Sequence, residues 1–187
     1  MIARLKRRLS AFHPTLSSNP DKGICASVLI PLVEASTGAH IVLTRRTDTV
    51  KYHKGEVSFP GGVYEKNDGD TLKTAMRECS EEIGVKPEDV EIVGRLDDMN
   101  TFTGFVIAPY VGIIPYPYAF RLNPREVAYL IYLPVAFLLG SKLRMETIEF
   151  QGRAAQAPAI YYEGERIWGA TCKLLLQLRR ILEDDTL

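Results

Sequence analysis

Glu78, Glu81 and Glu82 stand at positions i, i+3 and i+4 of the run Arg77-Glu78-Cys79-Ser80-Glu81-Glu82-Ile83-Gly84-Val85. On a helix this spacing puts the three carboxylates within an arc of about 100° and roughly 6 Å of rise. Like charges held that close repel unless something positive sits among them. Ala75, Met76, Cys79 and Ile83 fall on the opposite side, so the same helix has an apolar face to bury. A solvated acidic face accounts for most Glu-Glu pairs. Three carboxylates converging under a Pro60-Gly61-Gly62 turn instead suit Mg²⁺ or Mn²⁺, hard cations that take oxygen ligands.

The charges around this helix are segregated. Between Val63 and Glu91 nine acids stand against four bases, whereas Thr44 to Gly55 carries Arg45, Arg46, Lys51 and Lys54 against Asp48. A cation-holding stretch beside an anion-holding one is what phosphoryl chemistry uses: cations bridge phosphate oxygens, basic side chains bind the remaining charge, and a positioned water attacks in line. Gly61 and Gly62 have no Cβ, so their backbone can approach an ion or phosphate closely, although a tight turn would also explain them. His53, lone between Tyr52 and Lys54, forms no catalytic constellation and is at most a substrate contact.

These residues need elements to position them. Leu72, Ala75, Met76, Cys79 and Ile83 predict a helix from about Thr71 to Ile83, with Asp70 as N-cap and Gly84 as the left-handed residue that ends it. Apolar runs at Cys25–Leu32, His40–Thr44, Val90–Leu96 and Val106–Ile114 predict strands, separated by turn residues such as Ser36-Thr37-Gly38. A second helical segment is expected after Pro134 and a third at Thr171–Leu182. Ile2, Leu5, Leu9 and Phe12 suggest a short amphipathic helix in an N-terminal extension over residues 1–20, docked on the domain. Strands mixed with few helices imply a mixed sheet packed by helices, not regular βαβ repetition.

Composition narrows the function classes. With 187 residues, 46% of them apolar, one domain can bury roughly 70% of its unfolded surface and needs no disulfide or structural metal to fold. The 23 bases balance 23 acids, so the net field that would favour nucleic acid or an anionic membrane is missing. Cys25, Cys79 and Cys172 are odd in number and lack CxxC spacing, which argues for reduced thiols and a cytoplasmic protein. The basic start at Arg4, Lys6, Arg7 and Arg8 is followed by neither an apolar run nor an A-x-A site, unlike a secretory signal. The most apolar stretch, Tyr129 to Leu139, is about half a membrane span and contains Pro134.

Phe59-Pro60-Gly61-Gly62 followed by Arg77-Glu78-Cys79-Ser80-Glu81-Glu82-Ile83-Gly84-Val85 resembles the Nudix box, the signature of enzymes that hydrolyse a nucleoside diphosphate linked to another moiety. The REUxEExGU half is matched throughout when Cys79 counts as its apolar residue. The first half departs: Asp68 stands at the internal acidic position, and eight residues instead of seven separate it from Arg77. With Glu65 and Asp68 as its acids, this variant resembles the coenzyme A pyrophosphatase branch. Leu43-Thr44-Arg45-Arg46 with Lys51 and Gly55, Asn123-Pro124-Arg125-Glu126-Val127 and Ile167-Trp168-Gly169-Ala170-Thr171 are similar to that branch's other landmarks, with Thr47 replacing its usual Ser or Ala and Lys51 its usual Arg.

The resemblance implies an α/β/α sandwich with a mixed central sheet and a Mg²⁺- or Mn²⁺-dependent reaction. Glu78 and Glu82 would be the principal metal ligands, Glu81 would bind a further ion directly or through water, and the Gly61 carbonyl would complete a site. Arg77 would orient a box carboxylate, and Arg46 and Lys51, with the Gly62 backbone, would hold substrate phosphates. The general base is open between Glu78, Glu81 and the downstream Glu126. Trp168 is a candidate stacking residue, for which a place in the core is the stronger expectation. The expected reaction splits coenzyme A or a derivative into 4′-phosphopantetheine and 3′,5′-ADP, in a monomer or homodimer. Two alternatives are hydrolysis of another nucleoside diphosphate derivative (NADH, ADP-ribose, an ADP-sugar) and a non-catalytic nucleotide sensor, which would have no need of a carboxylate cluster.

Overall fold

The run Cys25–Leu32 lies inside a twelve-residue strand, β1 (Ile24–Ala35), whose side chains alternate between two buried faces. Leu29 and Val33 point to one face and Ile30 and Leu32 to the other, all fully buried. A strand apolar on both sides belongs at the centre of a sheet covered twice. β2 (Gly38–Arg46) returns beside β1 through a tight turn, with Leu32 opposite Ile41. On β1's other side β7 (Phe105–Ile113) runs parallel, from Ile24 opposite Phe105 to Leu32 opposite Ile113, and β5 (Glu91–Arg95) pairs antiparallel with β7. Short β3 (Val57–Ser58), β4 (Gly61–Val63) and β6 (Met99–Asn100) add to β2, β1 and β7 respectively. The computed structural model describes residues 1–17, 23–150 and 152–184 of the chain.

α2 (Thr71–Ile83), the carboxylate helix, lies across β1, β4 and β7 and buries Ala75, Cys79 and Ile83 against Leu29, Val33, Val42 and Ile114. The opposite face is covered by α1 (Ile2–Ala11), α3 (Val135–Gly140) and α4 (Gly169–Glu183), which share a core with Ile30, Leu32, Ile41 and Leu43. The mixed sheet between these two helical layers is the expected α/β/α sandwich. Leu5 and Leu9 of α1 are buried, and Gly94 of β5 lets the helix close in, since a Cβ there would stand 2.9 Å from the Leu9 Cβ. Residues 18–20 of the expected N-terminal extension lie outside the described residues.

The structure adds two features to the sequence reading. The helix expected after Pro134 is α3, while the apolar residues before it, for which no strand is expected, form β8 (Val127–Pro134), paired with β2. Between α3 and α4 a three-stranded antiparallel sheet forms from β9 (Arg144–Phe150), β10 (Arg153–Tyr162) and β11 (Glu165–Trp168). Arg144, Met145, Thr147 and Glu149 of β9 are exposed, so its sequence carries no apolar run to announce a strand. No described helix is long and apolar enough to cross a membrane.

Candidate active site

α2 starts where the Asp70 side chain accepts a hydrogen bond from the Lys73 backbone N–H at 2.8 Å, and ends at Gly84 with φ +71°. The three glutamates it carries are not equally solvated: the side chain of Glu81 is 55% exposed, that of Glu78 16% and that of Glu82 only 2%. The face expected to form one anionic strip is therefore graded from water into the interior. β4 causes part of this grading. Gly62 lies so close to Glu78 that a Cβ on it would stand 2.3 Å from Glu78 Oε1, and Gly61 presses on β1, where a Cβ would meet the Ser27 carbonyl at 2.4 Å.

Arg77 ties the exposed side of the helix to the preceding loop. Its Nε donates to Asp68 Oδ1 at 2.8 Å, Nη2 to Asp68 Oδ2 at 3.2 Å and to the Val63 carbonyl at 3.2 Å, and Nη1 to Glu78 at 2.9 Å and Glu81 at 3.0 Å. Asp68 also accepts from the Glu65 backbone N–H and from Thr74 Oγ1, so this buried acid is almost fully bonded. Hydrogen bonds from Arg77, above all, hold the Asp68 carboxyl well below the usual carboxylate range, against the opposing effect of burial. A depressed carboxylate contributes stability that is complete above its unfolded value of about 4 and is lost as pH falls toward its folded value. Asp68→Asn should therefore melt below wild type at pH 7, with the gap closing below about pH 4. Melting temperatures of both proteins across that range check this, and a gap independent of pH would count against it.

Strand alternation brings the first basic residue to the cluster. On β2, Val42, Thr44 and Arg46 share the face toward α2, and Arg46 Nη1 lies 3.8 Å from Glu82 Oε1. Arg45 takes the other face and pairs with Glu165 of β11 at 3.3 Å. A second arrival comes from the loop before β8. The backbone N–H of Arg121 donates to the Ile83 carbonyl and that of Asn123 to the Glu82 carbonyl, satisfying acceptors that the end of a helix leaves open. Gly84 permits this docking, because a Cβ there would stand 2.7 Å from the Arg121 Cβ. Asn123 Nδ2 then donates to Glu126 Oε1 at 3.0 Å, while the Thr47 backbone N–H donates to the Glu126 carbonyl.

Glu126 thus lies near enough to Glu78 and Glu82 to repel both. Burial is the larger cause that pushes the Glu82 carboxyl up, to about 8; Arg46 and the Gly61 backbone favour its charged form, and Glu126 and Glu78 oppose it. Glu78 is raised for the same first reason, with Arg77 acting against it. Glu82 Oε2 and Arg46 Nε are buried without a hydrogen-bond partner among the described residues. Among those residues no three acidic, His or Cys side chains already form a metal cage. A buried carboxylate oxygen without a partner, crowded by two further carboxylates, nevertheless fits a hard divalent cation.

Other residues singled out in the sequence lie apart. Lys51 is exposed, with its Nζ 5.1 Å from the centre of the Tyr52 ring, and is not in contact with the carboxylates. His53 is exposed and its Nδ1 lies 3.0 Å from Glu56 Oε2. Trp168 is half-buried, not a core residue: it ends β11 with the Arg166 guanidinium 4.5 Å from its ring centre. The parts least visible in the sequence are the backbone contacts that dock Asn123 on α2, for which Gly84 is the one local signal.

The NUDIX domain model matches residues 24–138, which include β1, β2, α2 and the loop bearing Glu126. A protein of Pectobacterium atrosepticum described as the uncharacterized Nudix hydrolase NudL is 34% identical over 161 residues, covering 85% of this chain and 83% of that one. The NudL protein of Photorhabdus laumondii is 32% identical over 154 residues and 82% of each chain. Two solved structures share the fold: a C. elegans Ap4A hydrolase in a binary complex (TM-score 0.52, 15% identity, 59% of this chain and 80% of that one) and the NUDIX domain of Shewanella oneidensis NrtR complexed with ADP ribose (TM-score 0.51, 18% identity, 72% and 85%). The matched region holds the glycines, the carboxylate helix and the strand that brings Arg46 to it, and the chain belongs to the Nudix hydrolases, enzymes acting on pyrophosphate bonds of nucleoside diphosphate derivatives.

Proposed function

We propose that the protein is a Mg²⁺- or Mn²⁺-dependent pyrophosphatase that cleaves coenzyme A or its derivatives into 4′-phosphopantetheine and 3′,5′-ADP. The observation that carries the metal-dependent part is the buried Glu82, whose free Oε2 lies in a site shared with Glu78, Glu126 and Arg46. The coenzyme A part rests on the run from Leu43 to Gly62, which resembles the motif preceding the box in that branch and contains Arg46.

Glu82 and Glu78 would hold the cation, with Glu81 at its more exposed flank and the Gly61 carbonyl completing the site. When bound, such an ion polarises phosphoryl oxygens and lowers the pKa of water. Arg77 keeps Glu78 and Glu81 in place while its other nitrogens are fixed on Asp68. Arg46, with Lys51 from the exposed loop and the Gly62 backbone, would bind the pyrophosphate charge. Glu126 is our choice of general base: it reaches the carboxylate cluster from a separate loop, with one oxygen bonded to Asn123. Glu78 has Oε1 bonded to Arg77 and would be a metal ligand, which leaves Glu126 the carboxylate not committed to the ion.

The test is product identity by mass spectrometry after incubation with coenzyme A, dephospho-CoA, NADH and ADP-ribose in Mg²⁺ or Mn²⁺. A site that places a cation on the 3′-phosphate gains a charge-assisted contact of about 1.5 to 3 kcal/mol, so coenzyme A should exceed dephospho-CoA by at least about tenfold in kcat/KM. Equal rates, or faster cleavage of ADP-ribose, would overturn the coenzyme A reading and leave the Nudix chemistry standing.

A further inference from the structure

Arg46 stands where a cation belongs. Its Nη1 is 3.8 Å from Glu82 Oε1, the carboxylate is 2% exposed, and neither Glu82 Oε2 nor Arg46 Nε finds a hydrogen-bond partner among the described residues. The pair has opposite charges but lacks the short forked geometry of a finished Arg–carboxylate bond. Arg77, the other guanidinium at this cluster, is fixed on Asp68, Glu78 and Glu81, so it is not available to Glu82. The Arg46 side chain is 23% exposed, which leaves it an outlet toward a ligand.

We propose that Arg46 is an internal counter-ion that exchanges with the metal. In the metal-free protein it stands as the cation beside Glu82; when a divalent cation takes that carboxylate, the guanidinium is displaced and becomes free to bind a substrate phosphate. Arg46 therefore opposes metal binding in the absence of substrate, and metal binding prepares the phosphate grip. This rests on the reading of Glu82 as a metal ligand.

Mn²⁺ binding without nucleotide, followed by loss of the free-ion signal in electron paramagnetic resonance, tests the exchange apart from turnover. Arg46→Met should bind Mn²⁺ at least about fivefold more tightly than wild type, because the ion no longer has to break an Arg46–Glu82 pair 3.8 Å apart, worth about that factor even at the screening of bulk water. Arg46→Gln repeats the measurement should the Met variant not fold. Lys51→Met, which removes an exposed cation, should stay within about twofold of wild type because solvent and salt screen it. Unchanged or weaker binding in both Arg46 variants, or equal tightening in Lys51→Met, overturns the exchange. Glu82→Gln distinguishes the two failures: wild-type Mn²⁺ affinity in that variant removes the metal-ligand reading itself, and the exchange with it.

Discussion

Glu82→Gln should lower kcat by on the order of 10³-fold or more, because metal-borne charge stabilisation supplies several kcal/mol of barrier reduction. Gln keeps the length and shape of Glu and removes the charge that a cation needs. The fold should not suffer, and this separates the result from simple damage. Glu82 is 2% exposed, one of its oxygens is unpartnered, and burial already pushes its pKa up to about 8, so the charged form is costly where it stands. A neutral amide relieves that cost, and the variant should melt at or above the wild-type temperature while losing turnover. Steady-state kinetics and a thermal melt on the same preparation check both halves. Activity within about tenfold of wild type would remove Glu82 from the metal site. EDTA should abolish hydrolysis for the same reason.

The carboxylate helix was legible because helical spacing is local. Asp70, the stripe of Ala75, Met76, Cys79 and Ile83, and Gly84 mark start, face and end within fifteen residues, and each sits where the pattern places it. The central strands were legible because β1 and β2 are buried on both faces and read as continuous apolar runs. β9 to β11 were not, since a sheet with a solvated face mixes polar and apolar residues much as a loop does. The grading of Glu78, Glu81 and Glu82 was equally hidden. Angular spacing shows that three side chains share a face; what lies over that face depends on β4 and on the loop bearing Glu126, which are remote in sequence. Glu126 itself was visible as a candidate, but its approach to Glu82 depends on backbone bonds from Arg121 and Asn123, which leave no side-chain signature.

The adjacent glycines of β4 should respond oppositely to the same substitution. A Cβ on Gly61 would lie 2.4 Å from the Ser27 carbonyl and 2.7 Å from the Val28 Cα, both backbone atoms of the central strand. These cannot yield without opening the pairing of β4 with β1, where Val28 faces Gly61. Gly61→Ala should therefore cost about 1 to 3 kcal/mol or more, a fall of roughly 3 to 10 °C in Tm for a domain of this size. The three atoms nearest a Cβ on Gly62 are not backbone but all belong to the Glu78 carboxylate, the nearest at 2.3 Å. A side-chain end can rotate away, so Gly62→Ala should change Tm by no more than a degree or two. The carboxylate that rotates is, however, the proposed metal ligand, held by Arg77 on the side facing Gly62's neighbourhood. Misplacing such a group by about 1 Å costs on the order of 10²-fold in rate. Gly62→Ala should thus be a stable, nearly inactive protein and Gly61→Ala a less stable one. A Gly62→Ala enzyme with wild-type kcat/KM would show that Glu78 need not stand where it does, and would confine the proposed metal site to Glu82 and its other neighbours.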